Sequence, residues 1–149
     1  MKSSKPRYRI YGGVRNYLNT IADIALGRWH RGNEVELLEE TMRREFKVEA
    51  AIAAPMARVG IYLVVKNLIP AGKKVLLSPY TIADVINMVI AAGGVPVFVD
   101  VDAKSGNMSP EKLREKIDGD SALVLVTHLH GVAAEIEEIA AICADRGLP

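Results

Sequence analysis

His128 and His130 stand two residues apart, a spacing that in an extended segment sets both imidazoles on one side. With Asp100 or Asp102 they would supply the nitrogen and oxygen donors of a metal site. A histidine pair needs at least a third positioned ligand, however, and nothing else in the chain has a recognised metal spacing. The plainer reading makes His128 a hydrogen-bonding residue where a strand gives way to a loop, and Asp100 and Asp102 turn formers that bond nearby amides. A second candidate is Pro55-Met56-Ala57-Arg58. Small residues at a turn into a helix let backbone amides approach an anion, and the Arg58 guanidinium can fork onto phosphate oxygens. A tight turn followed by an ordinary surface arginine fits the same residues. Tyr80 offers a ring face to a planar ligand or, alternatively, a packing surface with a hydrogen-bonded hydroxyl.

Other chemistries find no support. Gly12-Gly13 and Gly93-Gly94 lack the strand-loop-helix order of a phosphate loop, and Ser78, followed by Pro79, is not in a nucleophile elbow. Cys143 is the only cysteine, so one chain has neither an internal disulfide nor a multi-cysteine metal site. Nineteen basic and eighteen acidic residues leave a net charge of +1, which gives no field for a nucleic-acid or membrane partner. Half of the residues are apolar, a quarter are charged, and no apolar run is long enough to span a bilayer. The basic start from Met1 to Lys5 is not followed by a signal-type apolar stretch, and the expectation is a soluble cytoplasmic protein.

The elements that must position these residues alternate between helical and strand-like patterns. Leu18, Ile21 and Ala25 mark one face of a helix over Arg15 to Ala25; Val35, Leu38, Met42 and Phe46 mark another that starts at Asn33, with Glu36 completing a capping box. Four short apolar runs then read as strands: Ala50–Ala54, Lys74–Ser78, Pro96–Asp100 and Ala122–Thr127. Val75-Leu76-Leu77 and Leu123-Val124-Leu125-Val126 have no polar face, the pattern of parallel strands covered by helices on both sides. Helices are expected at 58–68, 82–92, 110–117 and 134–146, with Gly93-Gly94, Ser109-Pro110 and Gly147 as their punctuation. The fold class is therefore α/β, a mostly parallel sheet flanked by helices. In such a sheet ligands bind at the carboxyl ends of the strands, where all the candidate residues above collect.

Those residues also carry a resemblance. Ala71-Gly72-Lys73-Lys74-Val75-Leu76-Leu77-Ser78-Pro79-Tyr80-Thr81, Ala92-Gly93-Gly94-Val95-Pro96-Val97-Phe98-Val99-Asp100-Val101-Asp102 and Leu125-Val126-Thr127-His128-Leu129-His130-Gly131 resemble, in order and spacing, motifs of the DegT/StrS family of sugar aminotransferases, which depend on pyridoxal phosphate (PLP). Glu135-Ile136 stands where the family usually has Asp-Met, and Leu38-Glu39 with Met42 is similar to its entry helix. The resemblance runs from about Arg28 to the end of the chain. It implies the N-terminal part of a fold type I, aspartate aminotransferase-like large domain over residues 33–149, truncated at Pro149, behind an arm, helix and active-site or dimer loop over residues 1–32.

The resemblance further implies that Met56, Ala57 and Arg58 hold the cofactor phosphate, although the family usually has Ser-Gly-Thr there, with Arg as a variant in the last position. Ile82 stands where an often aromatic residue covers the pyridine ring, with Tyr80 beside it; Trp29, His30 and His128 belong to the substrate pocket. The aspartate that pairs with the ring nitrogen and the lysine that tethers the cofactor are not among these residues: Lys66 falls within a helix, and Lys73 and Lys74 precede a strand. The implied whole is a homodimer that moves an amino group from a donor such as glutamate to a nucleotide-linked keto-sugar, with these 149 residues inactive alone. Two other functions stay open: a binding or regulatory module of the same fold, and a small metal-dependent enzyme using His128 and His130.

Overall fold

The computed structural model describes residues 12–28 and 32–149, so Trp29 and His30 lie outside the described residues. The chain forms two compact units, Met1–Ala53 and Ala54–Pro149. In the first, α1 (Val14–Ala25) and α2 (Glu34–Phe46) carry the expected apolar stripes, yet no residue of either helix is buried. Asn33 precedes α2 at φ −113° and ψ 24° and makes no side-chain cap bond. That backbone is not the extended one from which a capping side chain reaches the first-turn amides, so the capping box does not form.

The second unit is a three-layer sandwich of α3 (Ala57–Leu68), β1 (Lys74–Leu77), α4 (Ala83–Ala91), β2 (Val95–Phe98), α5 (Pro110–Lys116), β3 (Ser121–Leu125) and α6 (Ile136–Asp145). The strands are parallel in the order β2-β1-β3, with Val75 opposite Pro96 on one side and Leu123 on the other. Proline has no N–H to donate to a ladder, and Pro96 accordingly sits in an edge strand. Period-two alternation sends β1 into two cores. Val75 packs with Val65, Ile69, Val89 and Leu123 under α3 and α4, whereas Leu76 packs with Leu113, Ile139, Ile142 and Cys143 under α5 and α6.

The strand order follows from the same two faces. From β1 the chain steps to β2 through α4, then returns past β1 to β3 through α5. Crossovers of one hand that step in opposite directions must lie on opposite faces of the sheet, which is where Val89 of α4 and Leu113 of α5 are buried. Gly94 lets this packing close. A Cβ there would come within 3.1 Å of Ile69, Val75 and Val89 side chains.

The expected strand Ala50–Ala54 does not form, and the sheet of the described residues has three strands, not four. Four alanines offer little apolar side chain to a pleated surface, and the one large residue of the run, Ile52, is 84% exposed. The Ala53 amide instead donates to Glu39 Oε1 at 2.7 Å. The other expected strands are each shorter at their carboxyl ends than the apolar runs that announced them, because the last residues turn into loops.

The amino-terminal edge of the sheet is tied by ion pairs. Lys73 reaches Asp120 at 2.8 Å, and Lys74 pairs with Asp118. The Lys74 hydrogen bond, aided by the Asp120 amide, holds the Asp118 carboxyl below the usual carboxylate range, and Lys73 does the same for Asp120. Carboxyls depressed in the folded state stabilise it above their unfolded value, and that contribution fades as pH falls through the folded value. Stability should thus decline below about pH 4, modestly because the pairs are exposed. The Asp118→Asn, Asp120→Asn double variant should show a flatter urea-midpoint profile in that acid range; an unchanged slope would assign the acid loss to other groups.

Candidate active site

The reversal of strand order makes a topological switch point between β1 and β3, and their carboxyl ends open the crevice where open α/β sheets bind ligands. Thr81, after β1, and Thr127, after β3, meet there, with their hydroxyl oxygens 3.5 Å apart. Ser78 is buried and its hydroxyl accepts from the Tyr80 amide at 3.1 Å, which turns the chain away from β1. The next residues project outward: Tyr80 and Ile82 are exposed, Ile82 at 73%.

The α3 turn stands at this same end of the sheet, because α3 runs back to the amino end of β1 through residues 69–73. Met56 precedes the helix in an extended conformation and offers no side-chain cap, while the Val59 and Gly60 amides both donate to its carbonyl. Helix geometry leaves the Ala57 and Arg58 amides without intrahelical acceptors. No acidic residue occupies this first turn, and Arg58 there pairs with Asp84 in the first turn of α4. A cation at a helix N-terminus opposes the macrodipole, which favours an anion in that place.

The histidines are arranged otherwise than their spacing suggests. Residues 129–131 form a 3-10 turn in which His130 adopts φ 53°, so His128 and His130 do not lie on one side of an extended segment. His128 Nδ1 accepts from the Ala134 amide at 3.0 Å, which commits one ring nitrogen to the loop. Among the described residues no group of three or more His, Cys, Asp and Glu side chains is placed to hold a metal ion. The geometry that motivated a metal site is therefore missing.

Asp102 is a turn former. Its Oδ1 accepts from the Ser105 amide and hydroxyl and from the Lys104 amide, and these bonds, the Ser105 amide foremost, hold its carboxyl below the usual range. The turn delivers a residue that the sequence reading passed over. Asn107 is 2% exposed; its Oδ1 accepts from the Leu129 amide at 2.8 Å and its Nδ2 donates to the Val132 carbonyl at 3.0 Å. One buried side chain thus clamps both ends of the histidine turn. Nothing about an asparagine in a Ser-Gly-Asn run distinguishes it from a surface turn, and its signal lies only in the distant partners.

Lys73 and Lys74 lie at the opposite, amino-terminal edge, and Lys66 lies near the end of α3. An apolar groove of about 300 Å³ between β3 and α6, lined by Val124, Val126, Ile139 and Cys143, contains none of the candidate residues. Burial pushes the Cys143 thiol up, which disfavours the thiolate form. No helix among the described residues is long and apolar enough to cross a membrane.

Removing the Asn107 carboxamide would leave the Leu129 amide and the Val132 carbonyl without their partner in a part-buried setting. Asn107→Ala should cost about 1–3 kcal/mol in urea unfolding and raise hydrogen exchange at Leu129 above that of the sheet. A loss under about 0.5 kcal/mol, the usual limit for surface changes, would show that the clamp carries no load.

Comparison with known proteins converges on one group. The family model described as the DegT/DnrJ/EryC1/StrS aminotransferase family matches residues 15–149. GDP-perosamine synthase of Vibrio cholerae is 27% identical over 140 residues, 92% of this chain and 37% of that protein. The 3-oxo-glucose-6-phosphate:glutamate aminotransferase of Bacillus subtilis (strain 168) is 26% identical over 129 residues, 85% of this chain and 29% of that protein. Among solved structures, NtdA from Bacillus subtilis with bound cofactor PMP superposes with a TM-score of 0.78 at 25% identity, over 91% of this chain and 32% of that one. The chain thus spans about a third of the length of these relatives, and its three-layer unit has the α/β fold of aminotransferases of this kind.

Proposed function

The chain belongs to the DegT/DnrJ/EryC1/StrS aminotransferase family, and on that premise we propose that it is the cofactor-phosphate side of a PLP-dependent aminotransferase. The observation that carries the proposal is the start of α3. It presents two amides without helical acceptors, no cap and no acid, and a cation set against the dipole. A phosphate dianion satisfies all of these at once, so the residues present fit the phosphate of PLP. Bound there, PLP would supply the electron sink for amino transfer.

Met56, Ala57 and Arg58 would hold the phosphate, with the exposed faces of Tyr80 and Ile82 covering the ring from the β1 side. His128, fixed by Ala134 through Nδ1, keeps Nε2 for a substrate oxygen, and the family resemblance assigns Trp29 and His30 a part in substrate binding. The whole protein, in this reading, transfers an amino group from glutamate or a similar donor to a nucleotide-linked keto-sugar in the cytoplasm. Residues 1–32 serve as arm and dimer loop, and residues 33–149 as the first part of the cofactor domain. The exposed stripes of α1 and α2 support a homodimer, since apolar helix faces of that size call for cover. The 149 residues by themselves would not transaminate, because no lysine among them stands in the tethering context.

A second reading rests on the departure from Ser-Gly-Thr and on the Arg58–Asp84 pair: the protein binds a phosphorylated ligand without catalysis. Expressed from its complete reading frame and given PLP, glutamate and a nucleotide-linked keto-sugar, the protein should release 2-oxoglutarate, and borohydride should fix the cofactor to a lysine. Tight PLP binding with neither result would leave the binding-module reading in place and remove the enzymatic one. The phosphate assignment is checked separately: pyridoxal without its phosphate should bind at least about tenfold more weakly than PLP, as expected when charge-assisted bonds worth about 1.5–3 kcal/mol are lost.

A further inference from the structure

We propose that Asp84 is the positioning residue for Arg58, holding the guanidinium across the space between the first turns of α3 and α4 so that its free donors meet the phosphate. The proposal rests on the reading of the α3 turn as the phosphate subsite and adds the residue that sets its geometry.

Arg58 and Asp84 occupy equivalent places, each the second residue of its helix, and α3 and α4 are neighbours on one face of the sheet. Asp84 suits its own helix, whose N-terminus favours a carboxylate, whereas Arg58 opposes its helix dipole. The pair is therefore not explained by the needs of α3. Both side chains are about half exposed, 51% and 47%, and exposed pairs of this kind contribute little to stability.

What the contact does fix is direction. The hydrogen bond to Asp84 uses Arg58 Nη1 only. A guanidinium has five N–H donors in a rigid fork, so Nε and Nη2 stay available for a second, bidentate partner. An arginine left unpaired would have to surrender its rotamer freedom when the phosphate binds; one already anchored has done so beforehand. Asparagine at position 84 would keep an acceptor for Nη1 while removing a negative charge that repels the phosphate. Alanine would remove the acceptor. The two substitutions thus separate orientation from charge.

The test is equilibrium binding of PLP and of inorganic phosphate to the whole protein, followed by PLP absorbance and 31P line shape, for wild type, Asp84→Asn, Asp84→Ala and Arg58→Ala. Asp84→Ala should weaken both ligands about threefold to tenfold, the cost of ordering one long side chain. Asp84→Asn should bind them at least as well as wild type, and neither change should move the affinity for unphosphorylated pyridoxal. Asp84→Ala binding phosphate as tightly as wild type or more tightly, while Arg58→Ala loses it, would make Asp84 a competitor rather than a positioner and overturn the inference alone. Arg58→Ala with undiminished affinity for both ligands would instead remove the phosphate subsite itself. Urea midpoints of the four proteins distinguish any variant that is merely unfolded.

Discussion

Everything in the second unit depends on the burial of β1 on both faces. Val75, Leu76 and Leu77 are each fully inaccessible to solvent, and a strand with no polar face needs apolar cover on both sides of the sheet. Two helix layers are required, one on each side. Each must come from a crossover that leaves and rejoins the sheet, so the chain places β2 on one flank of β1 and β3 on the other. The switch point at their carboxyl ends is the geometric residue of that demand, and it is there that Thr81 and Thr127 meet.

The two ends of the sheet then take opposite characters. At the amino end, charges are matched: Lys73 with Asp120 and Lys74 with Asp118, in exposed pairs that close the edge without offering anything to a ligand. At the carboxyl end, polar groups within the protein are also satisfied where they are buried, as Asn107 and Ser78 show. What remains open there is the helix start at Ala57 and Arg58, together with the exposed apolar faces of Tyr80 and Ile82. In the proposed reading a planar ring that carries a phosphate would complement this combination, because one part needs apolar cover and the other needs donors.

The first unit poses a different physical problem. α1 and α2 are regular amphipathic helices, closed by residues in the left-handed conformation at Gly27 and Lys47. Neither buries a residue. Helices of this length gain most of their stability from packing an apolar face, so Leu18, Ile21, Leu38 and Phe46 mark where cover is needed rather than where a core already exists.

Much of this was legible in the order of residues alone, because the controlling effects are local. Short continuous apolar runs, the Ser109 cap that receives the Lys112 amide, and the glycines at positions 93 and 147 identify helices, strands and their ends within a few residues of chain. The motif spacings placed the chain in its family for the same reason. The run Ala50–Ala54 misled because a continuous run of small apolar residues looks like a buried strand until one asks what area it could bury. Only the tertiary structure decided the strand order, the α-helical face each crossover takes, and the partners of residues far apart in sequence. Arg58 with Asp84, Asn107 with Leu129 and Val132, and Thr81 with Thr127 are separated by between 22 and 46 residues. Such contacts form only after the sheet has brought its carboxyl ends together, and no local pattern announces them.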